Sequence, residues 1–366
     1  MSDEFAGAAE MAVARRMRER FAESRAPLQF VGAGCYEHHV PAVCLQAWAG
    51  AAAVDLDAAA ARVAGWLSRR LGKAACALGY ADAADALTHA VRAALAADRR
   101  GRRAVWVTRG VDPRLRDRLR LTFAPQGVAV VEAPMDADAG VAALPGGTAQ
   151  DMAVLVYAQP NFLGLIEPIA PIRRVCRAAD VRRVACVNPR AIAAAAVDAD
   201  WLCGDAQPLG LPLAAGGATL GFIVGSDPPL PPSATPPANV GAVAALLALL
   251  SVRQLDGVNR VAARAARVLR RRLTALAGVR CRFRRGWLNE FVLQSPAPAA
   301  EILRALAAQN IIGGVDLSRD YPELGEAILV CVTETKTAAD LQRFEDHLAR
   351  ILKRRAPVVC PVKPKW

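Results

Sequence analysis

An α/β fold built on a mostly parallel sheet is what this sequence predicts, and three observations predict it. Short apolar runs such as AVWVT (104–108) and MAVLVY (152–157) lack the in–out alternation of a strand with one wet face. Those runs alternate with helix-like stretches. Hydrophobic residues make up 54% of the 366 positions, enough to cover both faces of such a sheet.

In chain order, residues 1–25 read as a helix that Pro27 stops. Residues 30–34 turn through two glycines, and 41–49 start another helix. An alanine-rich helix over 57–71 carries Val63, Trp66, Leu67 and Leu71 at helical spacing. A further helix covers 81–97. The strand–helix rhythm then begins with a strand at 104–108, a helix opened by Pro113, a strand at 128–131 and an acidic, turn-rich stretch over 136–150. A core strand at 152–157, a helix over 167–178, a strand at 183–187, a short helix at 192–196, a strand at 201–203 and a last strand over 216–224 complete this part. The proline-rich stretch 227–237 excludes helix and central strand. Helices over 239–250 and 256–277 lead to a compact α/β unit with a partly antiparallel sheet: strands at 281–285, 289–293 and 328–333, helices at 298–308 and 337–350. The organisation expected is an N-terminal arm (1–56), a large α/β domain (57–255), a connector helix with a small C-terminal domain (256–355) and a flexible tail (356–366).

The formal net charge is +12. Only Lys73, Lys336, Lys353, Lys363 and Lys365 are lysines, the other basic residues being arginines set among Val and Leu. They read as solvated ends of helices and strands, and no zinc finger or RNA-recognition signature accompanies them, so no nucleic-acid partner is expected. No apolar run of membrane-spanning length and no secretory core in residues 1–20 is present, which points to the cytoplasm. The nine cysteines form no CxxC pair, and with four histidines no metal-ligand spacing appears. Cys176, Cys186 and Cys331 read as buried thiols.

Chemistry concentrates in five islands. GAGCYEHH (32–39) sets turn glycines beside Tyr36, Glu37, His38 and His39, types suited to acid–base or anion work. QPNFLG (159–164) follows a core strand directly, where the ligand crevice of a parallel sheet lies. Asn161 there either contacts a ligand or fixes its own loop. GDAQPLG (204–210) offers Asp205 as its acidic candidate. The remaining islands are WLNEF (287–291) and VTETKT (332–337), where Thr333 or Thr335 can cap the following helix. No lysine follows a strand in a setting suited to Schiff-base chemistry: Lys73 ends a helix, and Lys336 begins one and should be exposed.

Together these islands resemble one family. FVGAGCYEHHVP (30–41) is similar to the N-terminal motif of glycine dehydrogenase (decarboxylating) subunit 1, the alpha half of the split P-protein of the glycine cleavage system. QPNFLGLIE (159–167), GDAQPLGLP (204–212) with Gly216, Gly217 and Leu220–Phe222, LNEF (288–291), IGG (312–314), YPEL (321–324) and LVCVTET (329–335) resemble further motifs of that family in order. The resemblance implies a pyridoxal-phosphate-dependent transferase type I large domain with a small C-terminal α/β domain. It implies that pyridoxal phosphate sits on a beta partner subunit rather than covalently on this chain. It implies decarboxylation of glycine and transfer of the aminomethyl group to the lipoyl group of the H-protein, an acidic carrier that a basic surface would suit. It makes Tyr36, Glu37, His38 and Tyr80 the catalytic candidates, and Asn161, Asp205 and Gln207 the cofactor-contacting ones.

The chain departs from the family in polar segments. Residues 48–55 lack the family's Tyr-rich stretch, the DGAT that should follow Tyr80 is missing, Ala218 and Thr219 replace a Pro–Tyr pair, and the proline-rich stretch replaces a long basic one. Losses of this kind on a kept core leave a second reading, a catalytically inactive paralogue that stabilises or regulates a partner.

Overall fold

The computed structural model describes residues 27–50, 55–144, 151–191, 196–213, 219–225, 240–252, 255–284 and 288–353. The expected helix over 1–25, residues 192–195 of the short helix expected at 192–196, the proline-rich stretch, Gly216, Gly217, Ala218 and the tail lie outside the described residues. In chain order the elements are β1 (Leu28–Gln29), α1 (Ala42–Ala49), α2 (Leu56–Leu71), β2 (Ala75–Tyr80), α3 (Ala83–Ala96), β3 (Ala104–Thr108), α4 (Pro113–Phe123), β4 (Ala129–Ala133), β5 (Met135–Asp136), β6 (Val141–Ala142), β7 (Met152–Gln159), α5 (Ile169–Ala179), β8 (Arg182–Val187), β9 (Trp201–Asp205) and β10 (Gly221–Gly225). Then follow α6 (Val240–Val252), α7 (Leu255–Leu273), β11 (Arg280–Cys281), β12 (Glu290–Gln294), α8 (Ala299–Ala307), β13 (Ile311–Ile312), β14 (Val315–Asp316), β15 (Ala327–Cys331) and α9 (Ala338–Lys353).

The main sheet has the order β2-β10-β9-β8-β7-β3-β4. It is parallel except for β10, which runs antiparallel to both β2 and β9. Every residue of β7 is buried, as its unbroken apolar run requires. Its side chains still divide by face. Leu155 and Tyr157 join α2, α5 and α6 on one side, and Val154 and Val156 join α3 and α4 on the other. Helix starts follow local chemistry: Asp82 accepts from Asp85 N to cap α3, and Asp112 accepts from Arg114 N before Pro113 opens α4.

A smaller sheet, ordered β11-β12-β15-β14, is antiparallel throughout rather than partly so. One face packs on α7, α8, α9 and Phe30. The other packs through Val292 and Leu329 on Leu163 and Leu165 of the loop after β7, which brings β12 against the main sheet's carboxyl edge.

Six strands escaped the sequence reading, the two-residue β5, β6 and β14 among them. β2 (ACALGY) is Ala- and Gly-rich, and tertiary pairing with β10 overrides its weak strand preference. β1 and β13 are two residues each and, among the described residues, pair only with one another. Three local expectations also change. Thr337, not Thr333 or Thr335, stands at the start of α9, its Oγ1 accepting from Asp340 N at 3.2 Å. The Lys336 side chain is 3% exposed rather than free, held by Glu37. Cys186 is half-buried, while Cys176 and Cys331 are buried as expected.

Candidate functional site

In the main sheet, β3 and β4 lie to one side of β7 while β8, β9 and β10 lie to the other, so the chain reverses its direction of travel between β3 and β7. The crevice outside the carboxyl ends of strands at such a switch point is where this architecture holds ligands. A crevice of about 380 Å³ occupies it. Asp112 and Arg114 come to it from the end of β3, Asn161 from β7, Asn188 from β8, Asp205 from β9, Asp82 from the start of α3, and Glu290 from β12.

The N-terminal arm closes one wall. Ala33 has φ 54° and Gly34 φ 92°, left-handed backbone that turns the chain back on itself. Ala33 N then donates to Glu290 Oε1 at 2.8 Å, and the Tyr36 hydroxyl donates to Glu290 Oε2 at 2.8 Å. A Cβ on Gly32 would meet Glu290 Oε1 at 2.3 Å, so only glycine admits this approach. Burial pushes the Glu290 carboxyl upward, which its two donors only partly oppose. Gln207 clips the same arm from below. Its Oε1 accepts from Tyr36 N at 2.9 Å, and its Nε2 donates to Tyr36 O at 2.7 Å and Leu211 O at 2.9 Å.

One residue on, the arm enters a charged cluster. His38 Nδ1 lies 3.2 Å from both carboxylate oxygens of Glu334. Arg190 packs on the His38 ring, reaches Glu334 with Nη2 at 3.6 Å, and donates from Nε to Asn259 Oδ1 at 2.9 Å. Burial would raise the Glu334 carboxyl, but His38 and Arg190 outweigh it and hold it at about 2. Glu37 pairs with Lys336 and keeps 38% of its side chain exposed, and His39 is exposed.

The structure therefore brings Tyr36, Glu37 and His38 together, but not with Tyr80. Tyr80 is 3% exposed in the core beneath α3, its ring 5.3 Å from that of His89. Burial and then Asp85 push its hydroxyl to about 12. Asn161, Asp205 and Gln207 all line the crevice. Asn161 spends its amide within its own loop region, donating to Gly140 O and Glu167 Oε1 and accepting from Leu163 N and Leu165 N, which is the loop-fixing alternative. Gln207 is likewise committed to backbone. Asp205 accepts from Gln207 N at 2.7 Å and Leu220 N at 3.3 Å, and burial pushes it to about 6. Glu290, Glu334 and Arg190 were not singled out from sequence. The first two stood inside recognised islands, and Arg190 follows a core strand at its carboxyl end, the one signal that could have found it.

The crevice does not fit pyridoxal phosphate. Among the described residues no lysine lines it: Lys73 Nζ donates to Ala199 O at 2.6 Å, Lys336 pairs with Glu37, and Lys353 lies exposed at the end of α9. The N-terminus of α3, which could cradle a phosphate, is taken by its own acids, Asp85 N bonding Asp82 and Ala81 N bonding Asp85 Oδ2. Arg114, the cation on the wall, is paired with Asp112.

Comparison with known proteins places this geometry. The glycine cleavage system P-protein family matches residues 73–228. A protein of Thiobacillus denitrificans named "Probable glycine dehydrogenase (decarboxylating) subunit 1" is 33% identical over 98% of this chain and 90% of its own. That alignment runs over 421 positions, more than the 366 residues here, so the relative carries segments this chain lacks. The same-named protein of Nitrosospira multiformis is 29% identical over 95% of this chain and 90% of its own. Among solved structures, an inhibitor-bound glycine decarboxylase (P-protein) superposes with TM-score 0.80 at 24% identity, covering 94% of this chain and 90% of that one. A NifS-like protein gives TM-score 0.72 at 13% identity, covering 90% of this chain and all of that one. The fold is the pyridoxal-phosphate-dependent transferase type I fold. With a third of its residues shared along nearly the whole length of such a relative, this chain belongs to the glycine dehydrogenase (decarboxylating) subunit 1 family of the glycine cleavage system P-protein.

Proposed function

We propose that this chain works as the subunit of glycine decarboxylase that contributes no cofactor lysine. The family places it in a heteromeric complex with a second subunit. On our reading that beta subunit holds pyridoxal phosphate, and the pair decarboxylates glycine and passes the aminomethyl group to the lipoyl group of the H-protein in the cytoplasm. Pyridoxal phosphate, when bound by the partner, supplies the electron sink. The observation that carries this reading is the make-up of the crevice: among the described residues it has carboxylates and no lysine.

What this chain supplies is a shaped wall. Tyr36 is held by Glu290 and His38 by Glu334, and they act as positioning residues. They present the half-exposed Glu37 and the exposed His39 at the cleft shared with the partner. Tyr80 has no part in that wall. The test is reconstitution with the beta subunit, pyridoxal phosphate, glycine and lipoylated H-protein, following labelled CO2. Release that requires both chains supports the reading. Release by the beta subunit alone at the same rate makes this chain the inactive paralogue.

A further inference from the structure

β8 and β9 are parallel neighbours, and their register sets Cys186 directly opposite Cys203. Opposed residues of a sheet send their side chains to the same face, and both thiols join the core beneath α3 and α4. Their Sγ atoms lie 4.0 Å apart, and among the described residues neither sulfur has another hydrogen-bond partner. Neighbouring strands stand about 4.8 Å apart, inside the range of about 4.4–6.8 Å between Cα atoms that a disulfide spans. The two sulfurs differ in access. Cys203 is fully buried, whereas Cys186 is half-buried and lines the crevice of about 380 Å³ at the switch point, which has room for a small reagent. Two residues beyond the pair, Asn188 and Asp205 line the same crevice, so the thiols lie in its floor.

We propose that Cys186 and Cys203 are an oxidisable dithiol, which a small-molecule disulfide entering the crevice closes to a cross-strand disulfide. Cys186, as thiolate, attacks one sulfur of the reagent. The reagent's S–S bond breaks, and one small thiol leaves with the proton that Cys186 gave up. Cys203 then attacks the Cys186 sulfur of the mixed disulfide and expels the second small thiol, which takes the Cys203 proton. Two protein thiols are oxidised to one disulfide, and the reagent's disulfide is reduced to two thiols. The order follows from the surroundings. The bond to Cys186 and then burial push the Cys203 thiol well upward, which leaves the first attack to Cys186. The inference does not rest on decarboxylation and is read on this chain alone.

Thiol mapping of the full chain tests it. The reduced chain, freed of reductant, is held folded with hydroxyethyl disulfide, a neutral probe that the acids of the wall do not repel. It is then quenched in acid, alkylated in denaturant and digested for mass mapping. The expected result is the loss of two alkylatable thiols per chain, a peptide pair joined through Cys186 and Cys203, and the return of both thiols after dithiothreitol. In Cys203→Ser the probe should stop on Cys186 as a mixed disulfide. In Cys186→Ser the buried Cys203 should stay reduced. The map of the unaltered chain stands by itself where either variant fails to fold. Cys186 and Cys203 both alkylated, Cys186 still holding the probe in the unaltered chain, or Cys186 joined to Cys35, the exposed thiol on the same crevice, would overturn the proposal.

Discussion

The Tyr36 hydroxyl donates to Glu290 Oε2 across 2.8 Å, with both residues buried and 254 positions apart in sequence. Through this bond the N-terminal arm is fastened to β12, and the crevice gains its inner wall. Tyr36→Phe removes the donor and leaves a buried carboxylate oxygen unpaired. The expected loss is about 1–3 kcal/mol in urea unfolding. Because the partners share one interaction, Tyr36→Phe and Glu290→Gln together should cost less than the sum of their separate costs.

Two carboxyls should bend the stability–pH curve in opposite directions. Glu334 sits at about 2 in the fold, below the ordinary 4.5. Its stabilisation is present above about pH 4.5 and is lost as pH falls toward 2, on the order of 3 kcal/mol in all. Asp205 sits at about 6, above the ordinary 3.8. Its contribution is full below about pH 4 and is lost as pH rises through 6. Glu334→Gln should flatten the acid limb of unfolding midpoints, and Asp205→Asn should flatten the decline between pH 4 and 6. A variant that leaves its own limb unchanged refutes the assignment for that residue.

Gln207→Glu places an oxygen where Nε2 now donates to the carbonyls of Tyr36 and Leu211. Two buried carbonyls lose their donor and face a like charge, so a loss of about 2 kcal/mol or more is expected in denaturant midpoint. Gln207→Ala should cost less than Gln207→Glu, because it adds no repulsion.

Gly32→Ala would set a Cβ 2.3 Å from Glu290 Oε1 and 2.8 Å from Cys331 Sγ. Backbone freedom is not the issue here. The space is filled by the side chains that close the crevice. Thermal unfolding should fall by several degrees, about what 1–3 kcal/mol of overpacking produces. The Tyr36 environment should shift in its near-ultraviolet spectrum.

Much of this molecule was legible in the sequence. The main sheet's central strand was, because β7 must be apolar on both faces and reads as an unbroken apolar run. The helix starts at Asp82 and Asp112 follow from side chains that cap locally. Hidden were the pairings that span hundreds of residues. Nothing in ACALGY announces that β10 will pair with it, and nothing near Tyr36 announces Glu290. The islands around Tyr36, Gln207, Glu290 and Glu334 were visible as polar concentrations. That they are one network, with Arg190 as a member and Tyr80 outside it, is a property of the folded contacts alone.

The proposed role requires that the cofactor's lysine belong to another chain. Borohydride reduction of the reconstituted complex with one equivalent of pyridoxal phosphate, followed by peptide mass mapping, tests it directly. A stoichiometric pyridoxyl group is expected on a lysine of the second subunit and none on Lys73, Lys336 or any other lysine of this chain. A stoichiometric group on a lysine of this chain would contradict it.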